Sequence, residues 1–195
     1  MTDKEESSAA GEADSQKGSP IVYGITVLTA VIVVLLVRQF VIEPFTVPTG
    51  SMEPTVVPHE SVLAEKITLA FGGSVHDGDI IVLENPEGSQ SDARFLLKRV
   101  VATGGETVGI KNGRLYVDGK LRKEPYVKGR TEPLEEHLKV VPDDYPYTVP
   151  DGYIWVMGDN REDSADSRYF GAVASDSVIG IVVARYWPVS RAGTL

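Results

Sequence analysis

The sequence predicts a mostly β domain, antiparallel in its pairing, carried behind one N-terminal transmembrane helix. Three observations predict it. An uncharged apolar run follows a polar N-terminus, short β-rich segments recur between turn signals from residue 41 onward, and Asn112-Gly113 and Asp118-Gly119 mark tight hairpins. At 195 residues the chain fits one domain with appendages and shows no internal repeat. The boundaries read as a disordered tail over 1–19, the transmembrane helix over 20–38, the β domain over 39–190 and a C-terminal tail over 191–195.

Residues 1–19 are dominated by Ser, Ala, Glu, Asp and Lys, too polar to offset the entropy of ordering, so they predict disorder. From Pro20 to Val37 no residue is charged, and about 20 helical residues cross a hydrocarbon core. A buried core helix would carry a polar stripe, absent here apart from Thr26 and Thr29. A cleavable signal segment would have a basic start and a small-residue cleavage site, whereas this tail is acidic and the run ends in Arg38-Gln39-Phe40. Lys4 and Lys17 before the run and Arg38 after it give a slight bias toward an N-terminus inside. The pattern then turns to strands: Val41–Val47, Ser61–Lys66, Gly78–Glu84, Arg94–Ala102, Val108–Ile110, Leu115–Val117, Tyr153–Met157 and Val178–Trp187. Pro125–Pro150 is a charged, proline-rich excursion with at most a short helix around Leu134–Leu138.

Composition excludes several classes of function. A net charge of -9 and a pI near 4.8 leave no basic stripe for nucleic acid. The absence of cysteine rules out a disulfide scaffold, a thiolate nucleophile and any Cys-based zinc site, and His59, His76 and His137 show no metal-ligand spacing. No cofactor and no metal are expected.

The segment Thr46-Val47-Pro48-Thr49-Gly50-Ser51-Met52-Glu53-Pro54-Thr55 places Ser51 in a bent turn, because Pro48, Gly50 and Pro54 break regular structure. On its own such a serine is an ordinary loop residue bonding its own backbone. In Arg94-Phe95-Leu96-Leu97-Lys98-Arg99-Val100-Val101-Ala102, alternation puts Lys98 on a face with Leu96, Val100 and Ala102, and Arg99 on the face of Phe95, Leu97 and Val101. Arginine stays protonated in proteins whereas a desolvated lysine sheds its proton, so Lys98 is the candidate base. Both cations snorkelling outward from an edge strand is the alternative. A serine with a neutral lysine is a sufficient nucleophile and base.

Ser51-Met52-Glu53-Pro54-Thr55, Gly78-Asp79-Ile80-Ile81-Val82, Lys98-Arg99-Val100-Val101 and Gly158-Asp159-Asn160-Arg161 through Ser164-Ala165-Asp166-Ser167-Arg168 follow an N-terminal span in one order. In that order the chain resembles the bacterial type I signal peptidases, membrane-bound Ser-Lys endopeptidases. The resemblance covers most of the chain after residue 20. It implies Ser51 as nucleophile, Lys98 as general base, and Thr49 joining the Ser51 amide in an oxyanion hole. It further implies that Ser164 orients the Lys98 amine, that Asp166 and Arg168 pair to hold their loop against the site, and that Asp159 supports it. The implied partners are signal-peptide-bearing pre-proteins, the lipid bilayer and the secretion machinery. The implied place is the cytoplasmic membrane, single-pass, N-terminus inside and β peptidase domain outside. The segment between Lys98 and Gly158 is short, which matches the compact single-span members. A β module kept only for binding would be signalled by loss of Ser51 or Lys98, and both are present.

Overall fold

Pro20 opens helix α1 (Pro20–Phe40), since at the first helical position its missing N–H costs no hydrogen bond. The computed structural model describes residues 20–86, 89, 93–132 and 146–195. The 21 residues of α1 are about 32 Å long at 1.5 Å per residue. Every side chain from Pro20 to Arg38 is exposed, and by length and composition the helix suits a membrane span. The chain divides into two compact units, one ending at Val37 and one running from Arg38 to Leu195.

The second unit is built on two antiparallel sheets. Its strands are β1 (Ile42–Thr46), β2 (Ser61–Glu65), β3 (Ile80–Glu84), β4 (Phe95–Thr103), β5 (Thr107–Lys111), β6 (Arg114–Val117), β7 (Lys120–Leu121), β8 (Tyr147–Thr148), β9 (Tyr153–Met157), β10 (Val173–Ala174), β11 (Val178–Trp187) and β12 (Gly193–Thr194). The first sheet has eight strands in the order β1-β2-β11-β3-β4-β9-β10, with β12 added on β11, and the second has four in the order β7-β6-β5-β8. Asn112 and Gly113 (φ 55° and 72°) and Asp118 and Gly119 (φ 50° and 72°) close the β5–β6 and β6–β7 hairpins in the left-handed conformation that two-residue turns of this kind require. Each strand named from the sequence is present to within a few residues. Residues 191–195, read as a tail, contribute β12. The expected tail at 1–19 and the expected helix at Leu134–Leu138 lie outside the described residues.

Three apolar clusters fill the unit. Val101, Ala102, Val108, Leu115, Val117, Val149, Trp155 and Met157 lock the second sheet onto β4 and β9. Ile81, Leu83, Leu96, Val100, Ile154 and Val156 form the second cluster, covered by Phe170 of the short helix α2 (Ser167–Phe170). Val47, Met52, Val56, Val62, Ala64, Ile80, Val82 and Val182 form the third, under the Ser51 turn. A register shift on β4 between Val100 and Ala102 breaks strict alternation. Ala102 therefore packs in the same cluster as Val101, and not with Leu96 and Val100 as alternation alone predicts.

Candidate active site

Ser51 is fixed by its neighbours. Val47 on one side and Met52 and Val56 on the other are buried in the third cluster, pinning both ends of a turn with no ladder of its own. Val47 N–H bonds Glu60 O at 2.9 Å, Val56 N–H bonds Met52 O at 2.9 Å, and Ser51 O accepts from Asn160 N–H at 3.0 Å. Among the described residues the Ser51 N–H donates to no acceptor.

Lys98 is brought to Ser51 by the way β4 is paired. Along one edge, β3 places Ile81 opposite Lys98; along the other, β9 begins pairing only at Arg99, opposite Met157. The backbone beyond Met157 is Gly158, and the Ser51 turn fits against it. A Cβ on Gly158 would sit 2.2 Å from Ser164 Oγ and 2.5 Å from Ser51 O, so no side chain fits there.

The Lys98 amine lies 2.9 Å from Ser51 Oγ, with both residues buried. Burial lowers the Lys98 pKa from 10.5 to about 8; the Asp166 carboxylate opposes this and Arg168 reinforces it. Both cations of β4 are buried, so neither snorkels outward. Thr49 Oγ1 is 3.5 Å from Ser51 Oγ, a long contact.

Asp166 and Arg168 form a two-pronged pair, Nε to Oδ1 at 2.9 Å and Nη2 to Oδ2 at 3.0 Å. Asp166 also accepts Gly158 N–H at 3.0 Å, and Arg168 donates to the Arg161 and Ser164 carbonyls, so the pair ties the 158–168 loop to the β9 end. Burial alone would raise the Asp166 pKa, but the Arg168 charge and these hydrogen bonds hold it below the usual carboxylate value. Ser164 lies beside Gly158 with a buried hydroxyl that bonds no described residue, so the expected hydrogen bond to Lys98 is not formed in this state. Asp159 faces β4 itself. It takes Arg99 Nε at 2.9 Å and Nη2 at 2.7 Å, and the Thr55 hydroxyl at 2.5 Å.

Several contributors escape sequence reading. Tyr126 lies under the Arg99 guanidinium, 4.0 Å from ring centroid to Cζ. Glu124 grips Arg161 at 3.0 and 2.5 Å, and Asn160 donates Nδ2 to Gly50 O at 3.0 Å. Asn160 and Arg161 stand inside the quoted motif, whereas Glu124 and Tyr126 lie in the charged excursion, where no local pattern marks them. An apolar groove of about 190 Å³ is lined by Phe45, Val47, Pro48, Val82, Phe95 and Leu97, among others, and so reaches the residue before Lys98 on β4. Among the described residues no group of His, Cys, Asp and Glu is placed to hold a metal ion.

A buried serine hydroxyl in contact with a desolvated lysine amine, on an antiparallel β scaffold, is an arrangement that can serve a serine peptidase. The chain belongs to the family described as signal peptidase, peptidase S26, whose model matches residues 21–187, and it is a serine endopeptidase. It is 38% identical over 172 residues to a probable signal peptidase I-1 of Synechocystis sp., covering 86% of this chain and 83% of that one. Signal peptidase I of Leptolyngbya laminosa is 36% identical over 185 residues (91% and 85%), and signal peptidase I P of Bacillus subtilis subsp. natto is 35% identical over 178 residues (90% and 93%).

Proposed function

We propose that this protein removes N-terminal signal peptides from exported pre-proteins by acyl transfer through Ser51, with Lys98 as general base, while α1 anchors it in the cytoplasmic membrane with the β domain outside. The observation that carries the reading is the 2.9 Å contact between two buried groups, Ser51 Oγ and a Lys98 amine lowered to about 8. Near neutral pH roughly a tenth of such an amine is unprotonated and can accept the hydroxyl proton.

In the acylation step Ser51 Oγ bonds the scissile carbonyl carbon as its proton moves to Lys98 Nζ. The unengaged Ser51 N–H and the nearby Thr49 hydroxyl receive the developing oxyanion. When the C–N bond breaks, the Lys98 ammonium returns that proton to the leaving amine, and the signal peptide stays esterified to Ser51. Water then attacks the ester, Lys98 takes its proton and passes it to Ser51 Oγ as the peptide leaves. In this reading the Ser164 hydroxyl, buried and without a described partner, turns the amine toward Ser51 during these exchanges. Asp166 and Arg168 keep Ser164 there, and Asp159 keeps β4 and the Ser51 turn together through Arg99 and Thr55.

Substrate recognition follows from the open strands. Among the described residues β1 ends the first sheet, and on β4 the stretch Phe95–Leu97 pairs with β3 alone, because β9 reaches only from Arg99. An extended peptide can lie between them and add hydrogen bonds to free backbone groups. Its first and third residues before the cut point the same way, by the two-residue period of a strand, into one shallow apolar groove. Small side chains at those two positions are therefore preferred. Membrane-threaded precursors delivered by the secretion machinery would meet a site at most roughly 45 Å of extended chain from Arg38.

The test is cleavage of a precursor with an Ala-x-Ala site by the detergent-solubilised protein, with the cut located by product mass. Cutting after the second alanine, and its loss when either alanine becomes Phe, is the expected result. Cleavage indifferent to both positions would refute the groove assignment.

A further inference from the structure

A charged cluster that the chemistry above does not use also bears on the Ser51 turn. Glu60 is buried, its side chain 2% exposed. Its Oε2 accepts Val57 N–H at 2.9 Å and Arg185 Nη1 at 3.2 Å, and its Oε1 lies 2.6 Å from Arg191 Nε, an ion pair without hydrogen-bond alignment. Both guanidiniums go on to the backbone after Ser51. Arg185 Nη1 donates to Thr55 O at 2.7 Å, and Arg191 Nη2 donates to Pro54 O at 3.3 Å. Arg185 Nε donates to Arg191 O at 2.6 Å, which joins β11 to the 3-10 turn Val189–Arg191 behind it. From the opposite side the Thr55 hydroxyl is held by Asp159, which carries Arg99, the residue next to Lys98. Pro54 and Thr55 thus lie between the end of the chain and the strand that supplies the lysine. One buried carboxylate needs one cation for balance; here it holds two, and each of them also donates to a carbonyl three or four residues after Ser51.

We propose that Glu60, Arg185 and Arg191 form a positioning clamp through which the C-terminal segment holds Ser51 Oγ at hydrogen-bond distance from Lys98. The inference rests on Ser51 being the nucleophile. Arg191 touches no reacting atom and acts through Pro54 and Thr55. A displacement of about 1 Å at a reacting group costs up to roughly a hundredfold in rate, so the clamp bears on turnover more than on substrate binding.

The test uses the full chain in detergent. Arg191→Met lowers kcat at least tenfold with KM unchanged within twofold, at a temperature where the variant is folded. Arg191→Lys keeps the charge opposite Glu60 but offers no planar second donor to Pro54 O, and recovers part of the loss. Because the chain has no cysteine, Ser51→Cys introduces a single thiol, and in that background Arg191→Met slows its alkylation by iodoacetamide at least threefold. The Arg191 side chain is 44% exposed, so its loss leaves the core filled; if Arg191→Met fails to fold, Arg191→Lys carries the same readouts. A lowered Tm with kcat and alkylation rate within twofold of the parent would overturn the proposal, as would a loss confined to KM. If instead Ser51→Ala cuts precursor at the parent rate, it is the nucleophile assignment that fails, and the alkylation rate still decides whether the clamp holds the turn.

Discussion

Replacing Lys98 by Met should abolish cleavage and at the same time stabilise the protein at neutral pH. The side chain is 3% exposed and its pKa falls from 10.5 to about 8, chiefly through burial. At 1.36 kcal/mol per pH unit, holding the ammonium in the folded protein at pH 7 costs about 3 kcal/mol, and Met fills similar volume without a charge. The sign follows from proton counts. Between pH 8 and 10.5 the unfolded chain keeps this proton while the folded protein gives it up, so parent stability rises with pH across that window. The advantage of Lys98→Met is therefore fully present below about pH 8, shrinks as pH rises through the window above it, and is nearly gone near pH 10.5. Urea unfolding of parent and variant in detergent at those pH values gives the difference directly. Equal or lower stability of Lys98→Met at pH 7, or a gap that does not close as pH rises, would refute the claim that this amine is desolvated.

The same amine sets the pH dependence of catalysis: kcat/KM should rise with pH and level off with an apparent pKa near 8, measured with a precursor that carries no titrating group at the cut. A limb near 6.5 would point to a histidine base instead. Gly158→Ala should cost several kcal/mol of stability or nearly all activity, since the new methyl would lie 2.5 Å from Ser51 O and 2.2 Å from Ser164 Oγ; denaturant midpoints and precursor cleavage measured together show which. Thr49→Val should lower kcat by about a hundredfold or more with little change in Tm, while Thr49→Ser keeps most of the activity, because Thr49 is exposed and its hydroxyl alone is at stake.

Strands were legible wherever local chemistry decides them. The Asn112-Gly113 and Asp118-Gly119 turns demand positive φ, and the β-branched runs between turn residues need only a half-buried surface to pair. The split into two sheets was not legible, since whether β5 joins β4 or β6 and β8 depends on partners distant in sequence. At the site, the motifs singled out Ser51, Lys98, Asp166 and Arg168, but the apolar residues on both faces of the Lys98 strand left open whether its two cations were buried or turned outward, which only the fold shows. The motifs did not foretell that Asp159 turns to Arg99 and Thr55, because a contact across 60 residues leaves no periodic trace. The bulge on β4 likewise moved Ala102 out of the face that alternation gave it. No local pattern in the sequence marks Glu60, and only the fold shows Arg185 and Arg191 converging on it.

The most direct test is precursor cleavage by the parent, Ser51→Ala and Lys98→Met proteins side by side, with folding of each verified by its unfolding transition. The account predicts a product of the expected mass from the parent alone, both variants folded and at least a thousandfold slower. Near-parental cleavage by either folded variant would contradict acyl transfer through Ser51 with Lys98 as its base.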